Sequence, residues 1–236
     1  MKKQVILILF CLQVFVSFGQ GVEQDSIGTE VVDSLYREDQ FYFGVTFNLL
    51  FNRPEDINQS GFSGGMHMGF LRDMPINKER NVAVAMGLGY SLNVYNQNLL
   101  IGEEEVSTGV TTFASLSGVE YDSNRFTTHL IELPLEFRWR TSIPETHKFY
   151  RVYAGFKAGY LFSFRSNYKE PGNQIKQTDI SSIDRFRMGL TFAFGWNTFN
   201  FYFYYGLNPF FGDEATIENE TVGLNAAKIG LMFYIL

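Results

Sequence analysis

The sequence predicts an all-β protein, an eight-stranded antiparallel up-and-down transmembrane β-barrel. Three features carry that expectation: strict two-residue alternation in successive segments, a bulky apolar face opposed to a small or polar one, and connections that alternate in length. The alternation is clearest from Tyr150 to Arg165. Tyr150, Val152, Ala154, Phe156, Ala158, Tyr160, Phe162 and Phe164 share one parity, and Arg151, Tyr153, Gly155, Lys157, Gly159, Leu161, Ser163 and Arg165 the other. An extended strand sends alternate side chains to opposite faces. A soluble sheet buries its bulky face and covers the other with long polar residues. Here the second face is largely small with a few long cations, which suits a narrow interior, while the aromatic face suits lipid.

Length and composition bound the rest. The chain has 236 residues with 25 Phe, 13 Tyr, only 6 Pro and 1 Cys, which suits one β domain. No apolar run after the start is long enough for a spanning helix, a criterion that does not touch barrels, whose strands give a far weaker hydropathy signal. Residues 1–19 read as a signal peptide: Lys2 and Lys3, an apolar core from Val5 to Val16, then Ser17-Phe18-Gly19 as the cleavage site. Phe10 is too large to precede an acylated Cys11. Loss of Cys11 leaves a mature chain without a disulfide, so its stability must come from backbone pairing and burial. Residues 20–40 are acidic and aperiodic, a flexible periplasmic lead-in, and 41–236 form the barrel domain. The net charge of −6 is concentrated outside the alternating runs, as in Glu103 to Glu105 and Glu218 to Glu220. A nucleic-acid partner would need a basic exposed surface, and none is present.

The first strand is Phe41 to Asn52, ended by Arg53-Pro54-Glu55-Asp56. The second runs from Phe62 to Leu71, followed by a polar turn from Arg72 to Asn81. The third, Val82 to Tyr95, again opposes large residues to small. Asn96 to Asn124 reads as a long acidic surface loop. The fourth, Phe126 to Arg140, keeps its alternation through Pro134, which cannot donate a ladder bond. Thr141 to Lys148 turns into the fifth strand, Tyr150 to Arg165. A polar loop from Ser166 to Asp184 leads to the sixth, Phe186 to Trp196. Asn197-Thr198 is a tight connection to the seventh, Phe199 to Asn208, and a loop from Pro209 to Leu224 leads to the eighth, Asn225 to Leu236.

Long and short connections thus alternate, the habit of outer-membrane barrels, with periplasmic turns short and outside loops long. Eight strands place both termini in the periplasm. Trp139 and Trp196 stand beside short turns with lipid-face parity, so they are expected to mark an aromatic girdle. Eight strands leave an interior just wide enough for side chains to fill. The inward set holds Glu132, Glu136, Arg138, Arg140, Arg151, Lys157, Arg187 and Lys228, with Glu132 expected across from Lys157. Charges in so small a space should be paired, giving a salt-bridged plug; the alternative is a narrow channel for small solutes or anions. His67, His129 and His147 are scattered, and His129 has lipid-face parity, so no enzymatic, cofactor or metal site is expected. Outer-membrane lipid and the barrel-assembly machinery are the expected partners.

The end of the chain, Lys228 to Leu236, is similar to the C-terminal assembly signal of bacterial outer-membrane barrels, with Lys228 and Gly230 facing inward and Phe233 and Ile235 facing lipid. Ile131-Glu132-Leu133-Pro134-Leu135-Glu136-Phe137-Arg138, then Tyr153-Ala154-Gly155-Phe156-Lys157-Ala158-Gly159-Tyr160, resembles the central hairpin of the PorT-like outer-membrane β-barrel family of Bacteroidetes. Tyr205-Gly206-Leu207-Asn208 and the closing strand resemble it as well. This resemblance implies an outer-membrane barrel from about Phe41 to Leu236, and for some members a place in type IX secretion or gliding, with components of that machinery as partners.

Overall fold

The structure, a computed structural model, describes residues 39–104, 111–141, 150–218 and 220–235. The expected signal peptide, residues 20–38 of the lead-in, Glu105, residues 142–148 of the expected turn (with His147) and Leu236 lie outside the described residues. The described residues form thirteen strands: β1 (Gln40–Phe51), β2 (Gly64–Pro75), β3 (Val82–Asn96), β4 (Leu99–Glu104), β5 (Thr111–Ser115), β6 (Ser123–Arg140), β7 (Tyr150–Glu170), β8 (Asn173–Gln177), β9 (Phe186–Trp196), β10 (Phe199–Gly206), β11 (Thr216–Ile217), β12 (Glu220–Thr221) and β13 (Asn225–Ile235).

Eight of them are barrel staves, neighbouring in the order β6-β3-β2-β1-β13-β10-β9-β7, and β6 pairs with β7 to close the ring. All of these pairings are antiparallel. The first and last staves meet directly, with Phe41 opposite Ile235 and Phe51 opposite Asn225. Closure leaves no stave with an open edge, the condition for a sheet to sit in hydrocarbon, where an unpaired backbone group costs several kcal/mol. Exposure alternates residue by residue along the staves. In β1, Phe41, Phe43, Val45, Phe47 and Leu49 face outward while Tyr42, Thr46 and Asn48 are buried inside. An outer wall of Phe, Leu, Met and Val around a polar interior is the reverse of a soluble barrel and fits lipid.

Two short connections, 76–81 and Asn197-Thr198, and the facing strand ends Arg140 and Tyr150 share one end of the barrel with Gln40 and Ile235. Asn197 makes its tight turn with φ at 54°, a conformation that asparagine tolerates. At the opposite end the connections are not the plain loops expected from their lack of period. β4 and β5 form a hairpin inside 96–124, and β11 and β12 a small one inside 209–224. β7 runs on to Glu170 and pairs with β8 through Pro171-Gly172, a turn whose φ of 82° at Gly172 requires glycine after the proline.

The register corrects three further expectations and bears out a fourth, the passage of β6 through Pro134. β1 begins at Gln40, which is buried, so the lead-in ends one residue earlier. β2 does not end at Leu71 but continues through Arg72-Asp73-Met74-Pro75, paired with β3 as far as Pro75 opposite Ala83. Pro134 stays within β6, and the ladder to β3 lapses only locally, between Leu135 opposite Met86 and Glu132 opposite Gly89. That is what a missing N–H should do. Finally, β7 carries an extra residue. His129 faces Ser163 and Leu130 faces Leu161, so Phe162 is bulged out of the ladder. A bulge reverses the parity of everything beyond it. Phe164, expected against lipid, is 3% exposed and points inside, while Arg165, expected inside, stands on the outer wall.

Candidate functional site: the barrel lumen

The lumen is filled in three storeys. Nearest the short turns lies a group of cations and tyrosines. β6 aims Glu136, Arg138 and Arg140 inward at successive even positions, and β2 brings Asp73 to them across β3. Asp73 forms ion pairs with two guanidinium groups at once: Arg138 Nη1 lies 3.3 Å from Oδ1 and Arg140 Nη1 2.9 Å from Oδ2. Arg138 also pairs with Glu136 at 3.0 Å, and its guanidinium lies 4.7 Å from the Tyr153 ring centre and 5.7 Å from that of Tyr234. Arg140 stands opposite Arg151 in the register, and the two like charges are separated by what each binds. Arg140 donates to the carbonyl of Arg80, and Arg151 to that of Asn197 at 2.6 Å. Both carbonyls belong to residues of positive φ in short turns, so the turns are tied to the interior that they close.

The middle storey holds Lys157 and Glu132, 3.0 Å apart. They are not directly opposed, as expected from a simple register; Pro134 faces Lys157 and Glu132 faces Gly159, so the pair is diagonal. Ser91 donates to the other oxygen of Glu132 at 2.8 Å, and Asn93, Asn48, Thr46 and His67 extend the network around the wall. Lys157 also lies 5.3 Å from the Tyr202 ring centre. Inward tyrosines need inward glycines: a Cβ at Gly89 would collide with the Tyr42 hydroxyl, and one at Gly189 with the Tyr204 ring. This close approach explains why the interior face reads as small.

The top storey is apolar. Tyr95, Phe126 and Phe164 stack in sequence at 4.8 and 5.5 Å, and Phe210 meets Tyr95 and Phe126 edge-on, each at 5.4 Å. Phe211 and the loop residues Ile57, Leu99, Ile101, Ile180, Ile183 and Val222 complete this plug. Arg187 joins the storeys, donating to the carbonyls of Asn208 and Pro209 with its guanidinium 4.3 Å from the Phe210 ring centre. Beneath the plug is a cavity of about 20 Å³ lined by Glu132, Arg187 and Lys228 among others, room for one water.

All eight charged residues assigned to the interior from the sequence lie inside and buried. Among the described residues the lumen sets six cations against three carboxylates, Asp73, Glu132 and Glu136. Carbonyls and ring faces take up the difference: Arg151, Arg187 and Arg140 bind carbonyls, and Lys228 lies 4.8 Å from the Tyr204 ring centre. Asp73 is a lumen residue that the alternation of the second strand as far as Leu71 does not reach, and His67, scattered in sequence, joins Asn48 and Asn93 in a polar belt. The parity of His67, carried on to residue 73, is the signal that finds Asp73. Trp139 and Trp196 project from the outer wall at the short-turn end, where Tyr150 faces Trp196. In the closing strand Lys228 is buried and Ile235 exposed, and Gly230 lies where a Cβ would strike the β1 backbone at Val45. Among the described residues no group of His, Cys, Asp and Glu could hold a metal ion.

Among solved structures, two variants of the Rh. blastica porin, one with two substitutions and one with three, are similar over 85% of this chain and 100% of theirs, at 8% and 6% identity and a TM-score of 0.22. No curated protein matches the chain significantly. Residues 18–212 match the family described as "Outer membrane protein beta-barrel domain". An eight-stave closed sheet with an apolar outer wall, matched over most of its length, belongs to that outer-membrane β-barrel family.

Proposed function

We propose that the protein is a closed outer-membrane barrel with a structural or interaction role rather than a solute channel. The observation that carries this reading is the aromatic plug: Tyr95, Phe126, Phe164, Phe210 and Phe211 are each at most 3% exposed across the loop end of the lumen. Both termini face the periplasm in this reading and the folded loops face outward. The strand from Lys228 to Ile235, with Gly230 and Phe233, is what the assembly machinery engages. Planar-bilayer recording tests the plug. The parent should show no unit conductance, and neither should Lys157→Glu. Steady conductance from the parent, altered by Lys157→Glu, would establish instead the narrow anion path that the excess of interior cations favours.

The partner belongs to a secretion or gliding machine, a reading supported by the resemblance to PorT-like proteins. The β4–β5 and β7–β8 pairings at the loop end offer it a surface. Disruption of the gene should reduce the set of secreted proteins or stop gliding; normal secretion and normal gliding together refute this assignment. Deletion of residues 233–236 should abolish recovery from the outer-membrane fraction.

A further inference from the structure

The bulge at Phe162 does more than turn Phe164 into the plug; it turns Arg165 out. Across the outer wall of β3, β6, β7 and β8 the register aligns side chains in rows. Tyr90, Ile131 and Tyr160 form an apolar row, and Leu92, His129 and Ser163 lie above it. Next come Val94, Thr127 and Arg165, and then Asn96, Arg125, Asn167 and Lys176. The wall thus passes from aromatic to cationic within a few residues. From Trp139 to His129 the strand rises about 33 Å, or about 25 Å of height at the usual tilt, the thickness of the apolar band of such barrels. Arg125 stands about 10 Å higher, at the depth of lipid headgroups.

There Arg125, Arg165, Lys176 and His129 line a pocket of about 330 Å³ that has no carboxylate in its wall. Among the described residues neither arginine nor Lys176 forms an ion pair, although the neighbouring Lys169 pairs with Asp122 at 3.8 Å. Gln174 in its wall donates to Asn167 at 2.7 Å, and His129 shares a 2.7 Å hydrogen bond with Tyr90. Arg125 also closes the upper end of a second groove, about 430 Å³, lined by Phe62, Met66, Leu92 and Val94. A cationic pocket and an apolar groove therefore share one guanidinium.

We propose that this wall binds a phosphorylated outer-leaflet glycolipid of the lipid A class, its phosphate between Arg125, Arg165 and Lys176 and an acyl chain along the Phe62 to Val94 groove. Arginine forks match phosphate oxygens in pairs. The outer-leaflet source rests on the reading that the loop end faces outward. The test is native mass spectrometry of the folded barrel in non-ionic micelles with four probes: bis-phosphorylated lipid A, dephosphorylated lipid A, phosphatidylglycerol and inorganic phosphate. Bis-phosphorylated lipid A should bind best, and the Arg125→Gln/Arg165→Gln double variant should bind it about tenfold more weakly or worse, while Lys169→Gln binds like the parent. Equal binding by the double variant or of the dephosphorylated lipid overturns the site. Equal binding of phosphatidylglycerol or of inorganic phosphate overturns the lipid A assignment. Orientation is read separately, by labelling Ser117→Cys on whole cells with an impermeant maleimide. Failed labelling with lipid A binding intact refutes the orientation and the outer-leaflet source; lost binding with labelling intact refutes the pocket alone.

Discussion

The two ends of the lumen are shut by opposite means. At the short-turn end the closure is made by the staves themselves: Asp73 of β2 holds Arg138 and Arg140 of β6, and turn carbonyls hold Arg140 and Arg151. At the loop end the staves supply Leu50, Tyr95, Phe126, Leu130, Leu161, Phe164 and Ala226, and the connections lay Leu99, Ile101, Ile180, Ile183, Phe210 and Phe211 over them. The first closure cannot be lost without disturbing the barrel, because its members are set by stave register. The second is a lid built on a finished cylinder. The chemistry fits the difference. A stranded interior charge has nowhere to go, whereas a trimmed apolar lid can partly settle into the space left behind.

The sharpest way to break this comparison is Asp73→Ala, which leaves two guanidinium groups facing one another with one carboxylate gone. Removing one partner of a buried ionic group costs about 3–5 kcal/mol, and here one residue serves two partners. The urea midpoint of the folded, heat-modifiable band should fall by the corresponding amount; an unchanged midpoint would show that Glu136 alone suffices. Phe210→Ala comes next. Its cavity costs up to about 3–5 kcal/mol, yet the loss should fall on the lid. Limited proteolysis should cut the connections 96–124 and 209–224 faster while the stave core unfolds near the parent's midpoint. Equal losses from lid and core would erase the distinction between the two closures.

The middle storey sharpens the contrast further. Glu132→Lys or Lys157→Glu alone places two like charges at the 3.0 Å contact, while the double exchange restores a pair. Both singles should be clearly destabilised, and the double should recover about 1–3 kcal/mol of coupling. Additivity of the singles would mean that Ser91 and Tyr202, rather than the pair, hold those charges.

How far the sequence reveals this molecule follows from period. A period of two places all eight staves, because each has one face in lipid and one in a tight interior. It places the interior charges for the same reason. It misplaces Phe164 and Arg165, since one inserted residue, Phe162, leaves no mark in composition but reverses the faces beyond it. Asp73 is concealed because Arg72-Asp73-Met74-Pro75 has the composition of a turn while continuing a strand. The lid is concealed for a third reason: Ile57, Leu99, Ile180 and Phe210 come from separate connections, and no spacing within one segment announces that they meet. The cationic outer wall depends on the bulge and on a fourth strand, β8, and so inherits both difficulties.

The smallest effect belongs to the edge of the lid end, where β8 pairs with the extension of β7. Glu170, above the apolar band, accepts hydrogen bonds from Asn173 and from the Tyr168 hydroxyl, both at 2.8 Å, and these hold its carboxyl below the usual range. A carboxyl whose folded pKa is depressed contributes stability that is present above its unfolded value, about 4.3, and is lost as pH falls through the folded value. Between about pH 7 and pH 3, amide exchange across residues 173–177, corrected for its intrinsic pH dependence, should therefore rise by about twofold to fivefold in the parent. Glu170→Gln should remove that acid-dependent rise, with exchange already raised at neutral pH, and should leave the Asp73 storey untouched. A corrected exchange that changes equally with pH in parent and variant would place the acid sensitivity elsewhere, and a parallel change in the stave core would mean that lid and cylinder do not open separately.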